Sequence, residues 1–208
     1  MHLKKPKYKI KKEPTQARSK VTVDCIKEAA AQLLKEKGLL EFTTNHVAER
    51  AGVSIGSLYQ YFPSKEVLIA ELKREHFAEL RTLIKEAYIA NSEQPFERII
   101  ESLIVATIDA HRIDPDLHRV IGNELSHLDI TEAEESGESI RDFLGLIFTA
   151  HQHELKPGLD ISLAVKITHR VVESLTHDAV LNQPELLKEN QLVDEIKRMI
   201  ILYLQDPN

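Results

Sequence analysis

The feature that most constrains this chain is the punctuation between Phe42 and Lys65. Thr43 can cap a helix N-terminus, and Phe42 and Val47 stand at the two positions of a hydrophobic staple. The run Thr44-Asn45-His46-Val47-Ala48-Glu49-Arg50-Ala51 then meets Gly52, which can take the left-handed conformation that ends a helix. Ser54 can cap a second run, Ile55 to Phe62, which Pro63 stops. Helices of about two turns bury little by themselves, so this pair must lean on longer neighbours. The spacing predicts a helix-turn-helix, with Ala48 small enough for a close crossing and Val53 filling the corner.

The neighbours are legible as helices too. Upstream, Ile26, Ala29, Ala30, Leu33 and Leu34 recur at three- and four-residue spacing, which predicts a helix from Val21 with Cys25 packed at its edge. Gly38 is its natural stop. Downstream, Ser64 should cap a long helix from Lys65 to Ala90, with Leu68, Leu72, Leu80, Leu83 and Ala87 on its core face. At 1.5 Å per residue such a helix is about 39 Å long. Gln94-Pro95, Asp114-Pro115 and Gln183-Pro184 each read as a cap followed by proline at the first helical position. Pro157-Gly158 breaks the chain before Asp160 caps a helix from Ile161 to Leu181, and a last helix is expected over 185–204. The acidic stretch from Asp129 to Ser139 reads as a loop or a frayed helix start. No useful strand-like alternation occurs. The expected fold is all-α: a three-helix head containing the helix-turn-helix, then a larger helical bundle.

Charge divides the chain the same way. The net charge of −6 would by itself argue against a polyanionic partner. Yet residues 1–74 hold 15 Lys and Arg against 8 Asp and Glu, giving +7, and residues 75–208 hold 12 against 25, giving −13. A basic head on an acidic body is the asymmetry of a protein that meets phosphates at one end. Residues 1–20 carry eight Lys and Arg, one Glu and two Pro, and should form a basic flexible arm. We therefore expect an arm over 1–20, a DNA-binding head over 21–66 and an effector-binding and dimerisation body over 67–208. The lone Cys25 excludes an intramolecular disulfide and suits a reducing compartment. No apolar run reaches the roughly 20 residues that span a bilayer, and no signal-peptide stretch opens the chain, so a cytoplasmic location without membrane attachment is expected.

The segment TTNHVAERAGVSIGSLYQYFPSKEVLIAEL, residues 43–72, resembles the tetracycline-repressor (TetR) family of one-component regulators. The resemblance covers roughly residues 16–75; beyond them it concerns architecture alone. The residues also make physical sense without the name. Gly56, in the first turn of a short helix, costs about 1 kcal/mol against alanine, which either close approach to DNA or tight helix packing would justify. Tyr59 and Tyr61 lie two apart and cannot share a helix face, so at most one should be buried. Lys65 puts positive charge where the helix dipole disfavours it, a penalty that a bound phosphate would remove.

The resemblance implies that Ile55, Gly56, Ser57 and Gln60 line the major groove of double-stranded operator DNA, with Asn45 reaching in from the preceding helix. Gln and Asn can pair bidentately with adenine, and Ile suits a thymine methyl. Thr44, Tyr59, Tyr61 and Lys65 match phosphate-contacting positions, and Ser54 doubles as cap. Leu58 and Phe62 read as core. His46 departs from the residues frequent at its position, which leaves it without a role. Arg18, just ahead of the first helix, could clamp the backbone while the lysine arm lies in the minor groove.

Eight of the ten histidines follow residue 75. None of them pairs at the i,i+4 spacing that sets two metal ligands on one helix face, so no metal and no other cofactor is expected. His177-Asp178 invites comparison with the all-helical histidine-aspartate phosphohydrolases, but their further ligands cannot be assembled, and no catalytic residue is assigned. The run Met199 to Leu204 is apolar all round and must be covered on two sides. In the family it resembles, the last two helices of each chain form a four-helix dimer interface, which places Val193, Ile196, Ile200 and Leu204 in a homodimer contact. The body also offers Ile104, Ile108, His111, His118, Ile147, His151, Val171 and Leu175 as the lining of a pocket for a small organic effector. Aromatic residues make up 5% and Trp is absent, which favours an aliphatic or mildly polar guest over a flat polyaromatic one.

Overall fold

The structure, a computed structural model, describes residues 10–12, 14–123, 139–187 and 190–205. Among them are nine α-helices and no strand: α1 Ala17–Glu41, α2 Thr44–Arg50, α3 Ile55–Tyr61, α4 Lys65–Asn91, α5 Phe96–Ile113, α6 Pro115–Asn123, α7 Ile140–Ala150, α8 Ile161–Leu181 and α9 Gln191–Leu204. Short 3₁₀ turns lie at Gln152–Glu154 and Pro184–Leu187. No helix of the described residues is long and apolar enough to cross a membrane.

The chain forms two compact units. The first takes in the described residues up to Phe77 and again Asp116–Asn123; the second begins at Ala78 and holds α5, α7, α8 and α9. The boundary thus falls inside α4, about eleven residues past the end expected for the head, because the first three turns of α4 belong to the head's core. That core gathers Ile26, Ala30, Leu33 and Leu34 of α1 around Phe42, Val47, Leu58, Phe62, Leu68 and Ile69, with Val120 of α6. Fully burying each such side chain is worth about 1.5–3 kcal/mol, which is how two short helices are held in one geometry.

Three expectations for the head need correction. The first helix begins at Ala17, not Val21, because the Ser19 hydroxyl accepts from the Gln16 amide at 3.1 Å and starts it early. Arg18 is therefore a helical residue, and Ile10 of the supposed arm packs against the head core. Cys25 is exposed and not packed at an edge. Gly38 does interrupt α1, at φ 66°.

The second unit is built around Ile99, Ile104, Phe148, Ala164, Ile196 and Leu204, with Phe96 and Phe148 meeting edge-on at 6.0 Å between ring centres. Asp160 caps α8 by accepting from the Leu163 amide at 3.0 Å, as its position after Pro157-Gly158 implied. Ser139 and Asp142 form a reciprocal capping box at the start of α7. The other residues of the 129–139 stretch lie outside those described. On α4 the buried residue after Leu80 is Ile84 at 4% exposure, whereas Leu83 and Ala87 are half-buried. Pro95 serves as the cap of α5, one place earlier than expected, and Pro184 starts a 3₁₀ turn.

Candidate nucleic-acid interface and effector cavity

The corner between α2 and α3 is fixed by three local devices. The Thr43 hydroxyl accepts from the His46 amide at 3.2 Å and opens α2. Gly52, at φ 67°, closes it: its own amide donates to the Glu49 carbonyl at 3.2 Å, and the Val53 amide donates to the Ala48 carbonyl at 3.0 Å. These are the paired bonds of a Schellman cap, which needs a residue tolerant of positive φ. The Ser54 hydroxyl accepts from the Ser57 amide at 3.0 Å and opens α3. Arg50, in the last turn of α2, is ion-paired with Glu36 of α1 at 2.6 Å, and that contact holds the Glu36 carboxyl below its usual range.

Leu58 and Phe62 then point into the core, as expected, and α3 presents a polar and apolar outer face. Ile55 is 38% and Tyr59 43% exposed, and Asn45, Gly56 and Gln60 are exposed with them; Ser57, Thr44 and Lys65 are half-buried. The Thr44 hydroxyl and the Tyr59 phenol lie 2.9 Å apart, tying the two helices at their outer rim. Of the two tyrosines, Tyr61 is the buried one, at 7% exposure and within the head core, so its assignment to phosphate contact is withdrawn. Its position on α3 turns the ring inward because it lies one helical turn from Leu58. A methyl group added at Gly56 would meet only the Ser54 hydroxyl oxygen, at an unstrained 3.8 Å. Packing inside the chain therefore does not explain that glycine. His46 is exposed, with its Nδ1 3.3 Å from the Glu41 carbonyl oxygen.

The second unit holds a recess with about 40 Å³ for the centres of water-sized spheres, and about 480 Å³ of atom-free space once its solvent-facing part is included. Ile84 of α4, Ile100, Leu103, Ile104 and Thr107 of α5, Ile140 and Leu144 of α7, Thr168, His169, Val172 and Glu173 of α8 and Ile200 of α9 line it. The smaller figure is room for a few waters, so an organic guest must part the helices to enter. Burial holds His169 below the ordinary imidazole value, partly offset by the Glu173 carboxylate and reinforced by the charges of Arg141 and Arg170. His177 is lowered for the same first reason, again opposed by Glu173.

Of the expected pocket residues, only Ile104 lines this recess. Ile108 and Ile147 are buried core, Val171 is half-buried and Leu175 is 37% exposed. His151 packs against Phe96 and sits 2.9 Å from a Glu154 carboxylate oxygen, where it serves the turn after α7. His111 is fixed by its own helix, its Nδ1 2.7 Å from the Thr107 carbonyl oxygen. His118 lies in the first unit, its Nδ1 2.7 Å from His76 Nε2. What the sequence reading missed is Thr168, His169 and Glu173. The signal was present: Thr168 interrupts the apolar stripe of α8 between Val165 and Val172, and His169 and Glu173 are i,i+4 neighbours. Asp178 takes hydrogen bonds from the side-chain amides of Asn182 and Gln183 at 2.8 and 2.7 Å, a helix-ending duty and no catalytic one.

The dimer residues need the clearest correction. Val193, Ile196, Ile200 and Leu204 are 9%, 1%, 3% and 0% exposed within one chain, because they are the inward stripe of α9. The apolar residues left outside are their neighbours: Met199 at 49% and Leu202 at 60% on α9, with Leu163 at 51% and Ile167 at 38% on α8.

Comparison with known proteins agrees with both units. Residues 26–72 match the bacterial regulatory proteins of the tetR family, and residues 95–204 match the tetracyclin repressor-like C-terminal domain. The chain is 30% identical over 124 residues to the nucleoid occlusion factor SlmA of Mannheimia succiniciproducens, covering 54% of this chain and 55% of that one. It is 34% identical over 87 residues to the transcriptional repressor KstR2 of Mycobacterium tuberculosis, 40% of each chain. The matched segments thus span about half the length of these relatives or less. The fold is similar to that of the FadR repressor of Thermus thermophilus, solved with lauroyl-CoA, at a TM-score of 0.61 and 18% identity over 87% of this chain and 93% of that one. Matched in its head and again through most of its body, the chain belongs to the tetR family of bacterial regulatory proteins.

Proposed function

We propose that the protein is a homodimeric transcriptional repressor that grips a roughly palindromic operator with two copies of α3 and releases it when a small, largely aliphatic molecule enters the cavity of the second unit. The observation that carries this reading is the outer face of α3. Ile55, Tyr59 and Gln60 stand exposed around a glycine that no packing inside the chain requires. A helix presenting such a face can approach base edges closely. Asn45, Ser54, Ser57, Thr44, Lys65 and Arg18 complete the contact surface, and the excess of Lys and Arg in the first 74 residues supplies counterion release.

Dimerisation is supported by the exposed ridge of Leu163, Ile167, Met199 and Leu202, which an isologous contact would cover twice. Release is supported by the aliphatic cavity: a molecule that binds only an opened body shifts the population away from the DNA-competent form. Repression follows the names of the relatives. A second reading, a DNA-binding factor with no effector, has the likeness to SlmA in its favour.

Repeated selection from a random duplex library, followed by light scattering of the complex, tests the proposal. An enriched inverted repeat bound by two chains is the expected result. Enrichment of a single unrepeated site by a monomer would overturn the dimer reading. If no apolar compound in a broad screen changes operator affinity, the reading without effector takes its place.

A further inference from the structure

We infer that the molecule accepted by the cavity carries a neutral or cationic hydrogen-bond-donating head beside its aliphatic chain, and that Glu173 keeps carboxylates out. The inference rests on the reading of this cavity as the effector site.

The walls contributed by α4, α5 and α7 are aliphatic, apart from Thr107, whose hydroxyl already donates to the Leu103 carbonyl at 2.7 Å. The remaining polar groups come from one stretch of α8, Thr168 to Glu173. Thr22, Thr82, Thr107 and Thr149 all donate their hydroxyls to the carbonyl four residues back. Thr168 does not: it is 5% exposed, lines the cavity, and its hydroxyl has no hydrogen-bond partner. Thr176 is likewise unpaired but lies outside the lining. A hydroxyl withdrawn from water without a partner is costly to the fold, and a ligand atom placed beside Thr168 would restore what it lost.

Glu173 decides what kind of atom that is. It is the one carboxylate among the lining residues, which include no Lys or Arg. Its oxygen lies 3.6 Å from the buried His111 Nε2. The charges that act on His169 from outside the lining, Arg141 and Arg170, belong to exposed residues, where water and salt screen them. A carboxylate head would stand beside Glu173 in a low-dielectric recess and be repelled by it. An alcohol can donate to Glu173 and accept from Thr168, and an ammonium can donate to both.

Calorimetric titration of the full chain at about pH 7.5 with octan-1-ol, octylamine and octanoate tests this, because only the head differs. The alcohol and the amine should bind at least about tenfold tighter than the carboxylate, and Glu173→Gln should bring octanoate within about threefold of octanol while weakening octylamine. Thr168→Val should weaken octanol about fivefold with helicity and melting unchanged. The selectivity of the unaltered protein needs no variant to be read. Octanoate binding as tightly as octanol, with Ile104→Trp abolishing both, overturns the assignment of the head and leaves the cavity reading in place. If none of the three binds, or Ile104→Trp leaves binding untouched, the cavity reading falls and takes the inference with it.

Discussion

The Thr44 hydroxyl and the Tyr59 phenol stand 2.9 Å apart, joining the first residue of α2 to the middle of α3. The pair does two things at once. It fixes the spacing of the two short helices at their outer rim, and it leaves a polar edge from which a phosphate can be held. Phosphate contacts position a protein on DNA without reading sequence. Tyr59→Phe removes the phenolic hydroxyl and leaves the ring. We expect it to lower affinity for every duplex alike, by about 1 kcal/mol or roughly fivefold, with specificity unchanged. Fluorescence anisotropy against the selected operator and a scrambled duplex measures both. A loss confined to the operator would show that Tyr59 reads bases.

Gly56 separates folding from binding. The chain leaves room for a methyl group there, with the Ser54 hydroxyl oxygen at 3.8 Å as the nearest contact, and alanine is the better helix former. Gly56→Ala should therefore stabilise the head by up to about 1 kcal/mol in denaturant unfolding. The same methyl would stand between the α3 backbone and the base edges, so operator affinity should drop by tenfold or more. Stability and affinity rising together would mean that DNA does not approach this backbone.

Much of this was legible in the sequence because it is local. The Thr43 cap, the Gly52 corner, the Ser54 cap and Pro63 each act within five residues, and each sits where the sequence placed it. The residues that went astray depend on contacts distant in the chain. The direction of α9 is an example: a run apolar all round does not say which stripe its own bundle claims, and the bundle claims Ile196, Ile200 and Leu204. His118 was drawn towards the body by its company of histidines, whereas its ring lies against His76, 42 positions earlier. Tyr61 obeyed a rule that was stated, that one of two tyrosines must turn inward, but the rule does not say which. The cavity was hardest to foresee, because its polar pole is defined by an absent hydrogen bond, and Thr168 looks in sequence like any other helical threonine.

The two faces of α9 make the dimer proposal separable from stability. Leu202 is 60% exposed and Ile200 3%, although they stand two residues apart. Leu202→Glu should leave the monomer folded and divide the dimer, since the charge meets water in one state and a partner in the other. Ile200→Glu should instead unfold the second unit, because it buries a charge among Ile196, Leu204 and Ile104. Light scattering and circular dichroism distinguish the outcomes. A dimer that survives both Leu202→Glu and Ile167→Glu would place the interface elsewhere. Operator binding should be lost with the dimer, since two half-sites about one helical turn apart must be held together.

The last prediction concerns pH. Burial holds both His169 and His177 below the ordinary imidazole value of 6.5. Once unfolded, each recovers that ordinary value, so between the two values the unfolded chain binds more protons than the folded one. Stability therefore rises with pH across this window: it is fully present above about pH 7.5 and is lost as the pH falls below about 6.5. Glu173 pulls both imidazoles back upward, which makes the loss smaller than burial alone would give. Carboxylates act in a different range. Glu101, held low chiefly by Lys197, weakens the fold only as the pH falls below about 4.5. Melting followed by circular dichroism from about pH 7.5 to 5.5 should show a falling midpoint in the unaltered protein. The fall should be shallower in the His169→Asn, His177→Asn double variant, and steeper in Glu173→Gln, where the upward pull is gone. An equal fall in all three proteins would mean that neither imidazole is held neutral by the fold.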